Sequence, residues 1–118
     1  MNKYKMKQPY DEQSLAKLNF YFDRTRSDEE TKKYMRKFTV YKYSDSILLE
    51  AWFCLDYKTG DVTVDVMDVY SGRYGKYAKW YLSEYGDYEP LLNGINEKIA
   101  KEMKKCGIVE RNKNENQD

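Results

Sequence analysis

The stretch "ILLEAWFCLDYKTGDVTVDVMDV", residues 47–69, decides the fold. Ile47, Leu49, Ala51, Phe53 and Leu55 fall on one face and Leu48, Glu50, Trp52, Cys54 and Asp56 on the other, the period of two that a strand imposes. Val62, Val64 and Val66 then alternate with Thr63, Asp65 and Met67. Between the two runs, "DYKTGD" carries Gly60, which takes the positive backbone angle that closes a short hairpin loop. One face of this hairpin is aliphatic. The other mixes Trp52 and Met67 with Glu50, Asp56 and Asp65 and is half wet.

Upstream, "KFTVYKY", residues 37–43, adds a third strand, with Phe38, Val40 and Lys42 set against Thr39, Tyr41 and Tyr43. Before it, "SDEETKKYMRK" carries a helix-start signal: Ser27 caps, Glu30 reaches back three residues later, and acids precede bases as the helix dipole prefers. That spacing predicts a helix from about Asp28 to about Arg36, with Lys32, Lys33, Arg36 and Lys37 at its C-terminal end. "SLAKLNFYF", residues 14–22, starts like a short helix and ends, from Asn19 to Phe22, like a strand. The first ten residues alternate Lys3, Lys5 and Lys7 with Tyr4 and Met6 before Pro9, and read as a flexible basic arm ordered only if something holds it.

Downstream of Val69 the period changes. Tyr70, Tyr74, Tyr77, Tyr81, Tyr85 and Tyr88 fall within a sector about 80° wide at 100° per residue, which is helical spacing. Ser71 caps this expected helix and Gly86 ends it. A last helix follows from about Glu89, with Pro90 in its first turn, an apolar stripe of Leu91, Leu92, Ile95, Ile99 and Met103, and Gly107 as its stop. The tail "ERNKNENQD", residues 110–118, is polar and expected to be disordered. The sum is one α+β domain over residues 11–109, a small antiparallel sheet of three to four strands with helices packed on one face.

Composition bounds the rest. The 118 residues suffice for one modest core. Leu, Ile, Val and Phe total only 22, but 13 tyrosines, five methionines and two tryptophans supply the missing apolar area. Twenty-one basic against 20 acidic residues leave a net charge of +1, which disfavours a dedicated duplex-DNA binder. No run approaches the roughly 20 apolar residues that span a bilayer, and the first residues lack the apolar segment of a secretion signal, so a cytoplasmic protein off the membrane is expected. Cys54 and Cys106 fit that compartment as unpaired thiols.

With no histidine, His-activated nucleophiles and most zinc or iron sites fall away. No glycine-rich phosphate loop is present, and neither a cofactor nor a metal is implied. An acidic group remains, Glu50, Asp56, Asp61, Asp65 and Asp68; if Glu50, Asp56 and Asp65 shared a face they could flank a hard cation or divide acid and base roles. Carboxylates spread over two strands are ordinary surface chemistry, and no enzyme is read from them.

The tyrosine segment points instead to binding. Tyr74, Tyr77, Trp80, Tyr81 and Tyr85 are the candidate contacts for a protein partner or a second copy of the chain, because exposed Tyr and Trp give contact area at low entropic cost. The opposite face, Arg73, Lys76 and Lys79 with Trp80, is the alternative: a nucleic-acid-binding accessory protein of mobile-element or phage type, its aromatics stacking on bases and its cations tracking phosphates. Near-neutrality favours the first reading, a non-enzymatic accessory or inhibitor protein.

Overall fold

A computed structural model describes residues 3–43, 47–69, 73–74 and 88–111. In chain order the elements are β1 (Tyr4–Met6), α1 (Glu12–Lys17), β2 (Tyr21–Phe22), β3 (Lys33–Tyr43), β4 (Ile47–Asp56), β5 (Asp61–Asp68), β6 (Arg73–Tyr74), α2 (Tyr88–Cys106) and β7 (Ile108–Glu110). The strands form one sheet in the order β2-β3-β4-β5-β1-β7, with β6 also pairing β5. Sheet therefore dominates, and the expected small sheet of three to four strands covered by helices is incorrect. Three of the additional strands, β1, β2 and β7, are only two or three residues long, too short for a period of two to declare a strand.

The central hairpin is as the sequence reads. Leu49, Ala51, Phe53 and Leu55 are fully buried, whereas Leu48, Glu50, Trp52, Cys54 and Asp56 are half-buried. Gly60 takes φ 81° and its N–H donates to the Asp56 carbonyl at 2.8 Å. Alternation weakens along β5, where Val62 is buried, Val64 and Val66 are half-buried, and Met67 and Asp68 are buried in succession.

The helix expected over 28–36 is not formed. Its residues make the β2–β3 loop and the start of β3, where Tyr34 and Met35 pair with Phe22 and Tyr21. The side chains that resemble a helix cap serve the loop instead: the Asp28 carboxylate accepts from the N–H groups of Glu30 and Thr31, and Ser27 Oγ accepts from Lys33 N–H while donating to the Asp23 carbonyl. Burial of Tyr34 and Met35, at 7% and 1% exposure, outweighs the local propensity. The helix expected from Ser71 to Gly86 is likewise incorrect at Arg73 and Tyr74, which pair with Asp68 and Met67 as β6; residues 75–87 lie outside those described.

Part of the expected basic arm is held. β1 lies between β5 and β7, antiparallel to both. Residues 14–22 realise both of their readings, α1 and then β2, joined through Asn19 at φ 64°. The last helix begins and ends near its expected limits, and Gly107 at φ 74° ends it.

The chain divides into two compact units, 1–36 with 53–64 and 103–118, and 37–52 with 65–102. In the first, Met6, Leu15, Phe20, Met35, Phe53, Leu55, Val62 and Ile108 make the core. The core of the second holds Val40, Leu49, Ala51, Met67, Ile95 and Ile99, and Lys98 Nζ donates to the Val40 carbonyl at 3.2 Å. Among the described residues no helix is long and apolar enough to cross a membrane.

Candidate functional site

In the first unit, strand pairing assembles a row of aromatic rings that the linear sequence scatters. Phe22 meets Tyr34 edge-on at 5.7 Å, Tyr34 meets Tyr57 at 5.4 Å, and Tyr57 meets Tyr10 edge-on at 5.5 Å. The inner rings are anchored by their hydroxyls: Tyr34 donates to Glu12 Oε1 at 2.9 Å and Tyr10 to the Tyr57 carbonyl at 2.5 Å. Burial, reinforced by the Glu12 carboxylate, pushes the Tyr34 hydroxyl up to about 12, and burial also raises Tyr10. Both phenols therefore stay neutral donors at ordinary pH.

The outer end of the row is open. Phe22 is 48% exposed and its neighbour Tyr21 45%, on a strand that terminates the sheet. The register shows which backbone groups face outward. Asp23 N–H donates to the Lys33 carbonyl at 2.9 Å, so Asp23 and Tyr21 occupy hydrogen-bonded positions opposite β3 and Phe22, between them, does not. The Phe22 N–H and C=O thus point to the free edge, beside two exposed aromatic side chains.

Asp23 fixes the loop that follows. Its Oδ1 accepts from the N–H and hydroxyl of Thr25 and from the Arg26 N–H, and its Oδ2 accepts from Arg26 Nη1 at 2.7 Å. Burial alone would raise this carboxyl, but the Thr25 and Arg26 hydrogen bonds and the Arg26 charge outweigh it and hold Asp23 below the usual range. Arg24, which follows Asp23 in the chain, is exposed.

The cations expected at a helix end separate onto different partners. Lys32 pairs with Glu12 at 3.6 Å, Lys33 with Asp56 at 3.4 Å, and Arg36 Nη1 donates to the Leu18 carbonyl at 2.8 Å. In the second unit Lys37 Nζ lies 4.0 Å from the Trp52 ring centroid, and the Trp52 indole N–H donates to Glu50 Oε1 at 3.3 Å. This makes a cation–π stack on the half-wet sheet face.

The carboxylates do not assemble into a catalytic group among the described residues. Asp56 Oδ1 accepts from the Lys58 and Thr59 N–H groups; burial pushes its pKa up, but these bonds and Lys33 prevail and keep it low. Asp61 pairs with Arg111, Glu50 with Trp52, Asp68 is buried, and Asp65 is exposed. No three acidic or cysteine side chains among the described residues are grouped to hold a metal.

Of the sequence candidates, Arg73 and Tyr74 lie on β6, and Lys76, Tyr77, Lys79, Trp80, Tyr81 and Tyr85 lie outside the described residues. The Tyr21–Phe22 ledge was missed because nothing in "NFYF" distinguishes a core strand from an edge. Comparison with known protein families, with curated proteins and with solved structures finds no match to this chain.

Proposed function

We propose that the protein is a non-enzymatic binding protein that docks a protein partner through an aromatic surface. The observation that carries this reading is the exposure of Tyr21 and Phe22, 45% and 48%, on a sheet edge whose Phe22 backbone groups face outward. Large aromatics on a rigid support are the usual anchors of protein interfaces. The Phe22 ring rests on Tyr34, itself backed by Tyr57, which reduces the side-chain freedom lost on contact.

The partner is one that lays an extended segment along β2. The two-residue strand offers a short ladder, so side-chain burial must supply most of the affinity. Tyr74, Tyr77, Trp80, Tyr81 and Tyr85 remain proposed secondary contacts. A cytoplasmic setting is part of the same proposal.

The test is capture from lysate with the purified chain and its Phe22→Ser variant, after nuclease and at high salt. A protein retained by the parent and lost from a variant with unchanged thermal midpoint supports the proposal. Equal capture by both removes the ledge from it.

A further inference from the structure

We propose that the segment seated on β2 is the β2 of a second copy of this chain, the two strands pairing antiparallel about a two-fold axis at Phe22. The inference rests on reading the ledge as a docking surface and names its occupant. Phe22 directs both its N–H and its C=O outward, while Tyr21 and Asp23 on either side of it are turned toward β3. Two such strands, placed antiparallel with Phe22 on the axis, exchange both bonds at that residue, with Cα atoms about 5.5 Å apart. β2 itself carries none of the charged side chains or prolines that keep edge strands apart.

The short ladder suits a copy better than a longer foreign strand. Before Phe22, the next outward N–H is that of Phe20, and it already donates to the Leu15 carbonyl at 2.9 Å. After Phe22, the chain leaves β2 for a loop in which the Thr25 and Arg26 N–H groups turn back to Asp23 Oδ1. A longer strand would bring N–H and C=O groups that β2 does not answer. A second β2 ends where the first one does, with its own Phe20 N–H equally satisfied.

Side chains and charge agree with this register. Opposite residues of an antiparallel pair share a face, so Phe22 meets Phe22 and the aromatic rows of the two copies join end to end. Tyr21 falls opposite Asp23 of the second copy, whose carboxylate is neutralised by Arg26 Nη1 at 2.7 Å, so the phenol ring meets an ion pair and its guanidinium. The two Arg24 side chains lie on opposite sides of the axis, and a chain with net charge +1 does not repel its copy. Exposure of 45% and 48% on side chains of roughly 150–250 Å² leaves about 300–450 Å² for the four rings to bury. That is well below the ~1,200 Å² of a stable complex, so the dimer is weak and populated only at high protein concentration. It covers the groups that an outside partner would use, and the two compete.

The test is sedimentation velocity of the full chain from 10 µM to 1 mM, together with fluorine NMR of the chain carrying 4-fluorophenylalanine at its four phenylalanines. The mean mass rises above that of the monomer with concentration, and the Phe22 resonance moves in step while that of fully buried Phe53 stays. Phe22→Tyr keeps the ring and associates as the parent does. Phe22→Ser removes the ring, Phe22→Lys sets two like charges on the axis, and both stay monomeric. A parent chain that is monomeric at 1 mM overturns the proposal, as does parental association in either of these variants or a Phe22 resonance that does not move. Capture from lysate separates this outcome from the proposed function. A monomeric chain that still captures a protein through Phe22 loses only the self-pairing, whereas a Phe22-dependent dimer whose capture is unchanged by Phe22→Ser keeps the self-pairing and loses the outside partner.

Discussion

Phe22 and Tyr34 face each other across the β2–β3 ladder, their rings meeting at 5.7 Å, yet one is 48% exposed and the other 7%. The pair marks the boundary between what the first unit uses for stability and what it leaves available for contact. Replacing Phe22 with Ser removes a ring that is already half in water and costs less than about 1.5 kcal/mol. Replacing Tyr34 with Ala empties a buried position and costs about 3–5 kcal/mol. Urea unfolding of the two variants checks the contrast, and similar losses would contradict it.

Acid acts on Asp23 and Asp56. Both carboxyls titrate lower in the folded chain than in the unfolded one, so their stabilisation is fully present above the unfolded value, about 3.9, and disappears as pH falls through the lower folded values. Stability from this source is flat between about pH 5 and 8 and declines below about pH 4. The variant Asp23→Asn keeps one acceptor oxygen but loses the charge. It starts less stable by about 1–3 kcal/mol and shows a shallower acid decline, measurable as thermal midpoint against pH.

At the alkaline end Tyr34 gives the opposite sign. Its folded pKa of about 12 lies above the unfolded value near 10, so its contribution is complete below pH 10 and is lost as pH rises from 10 toward 12. Tyr34→Phe removes that part of the alkaline decline while leaving the acid side unchanged. Denaturation curves at pH 8 and pH 11 check both halves.

Two glycines give opposite outcomes when replaced by alanine. Gly94 lies inside α2 with nothing within 4 Å of an added Cβ, so Gly94→Ala stabilises by about 0.5–1 kcal/mol. Gly60 sits at φ 81° with Gln8 Nε2 3.4 Å from an added Cβ, and Gly60→Ala destabilises by about 1–2 kcal/mol. Thermal midpoints that move the same way would refute this pair.

The stack of Lys37 on Trp52 contributes about 0.5–1 kcal/mol at a half-exposed site. Lys37→Gln lowers stability by that amount and shifts the indole emission of Trp52, read against a Trp80→Phe background so that one indole reports. An unchanged emission maximum would mean the ammonium does not rest on the ring.

The sequence makes legible what repeats locally. The hairpin of β4 and β5 spans enough alternating residues to declare itself, and α2 carries Ile95 and Ile99 at helical spacing together with its glycine stop. Residues 28–36 mislead because Ser27, Asp28 and Glu30 favour a helix start and a tight loop through the same side-chain acceptors. Only the burial of Tyr34 and Met35 against β2, a long-range event, selects the strand. α1 is capped by an Asp11–Ser14 box, which reverses the usual order of hydroxyl before carboxylate. The aromatic row stayed hidden because Tyr10, Phe22, Tyr34 and Tyr57 share no local pattern and meet only through the sheet.

The position of β1 also sets an order of events in synthesis. This strand, near the start of the described chain, has one neighbour in β5 and the other in β7, the last of the strands to be translated among the described residues. While the chain is still on the ribosome, Tyr4–Met6 can pair only with β5, and its other edge stays open until Ile108–Glu110 has emerged. The final ladder is therefore a long-range closure, made after the central hairpin has formed, and nascent chains stalled before residue 108 carry an unsealed sheet edge open to other chains.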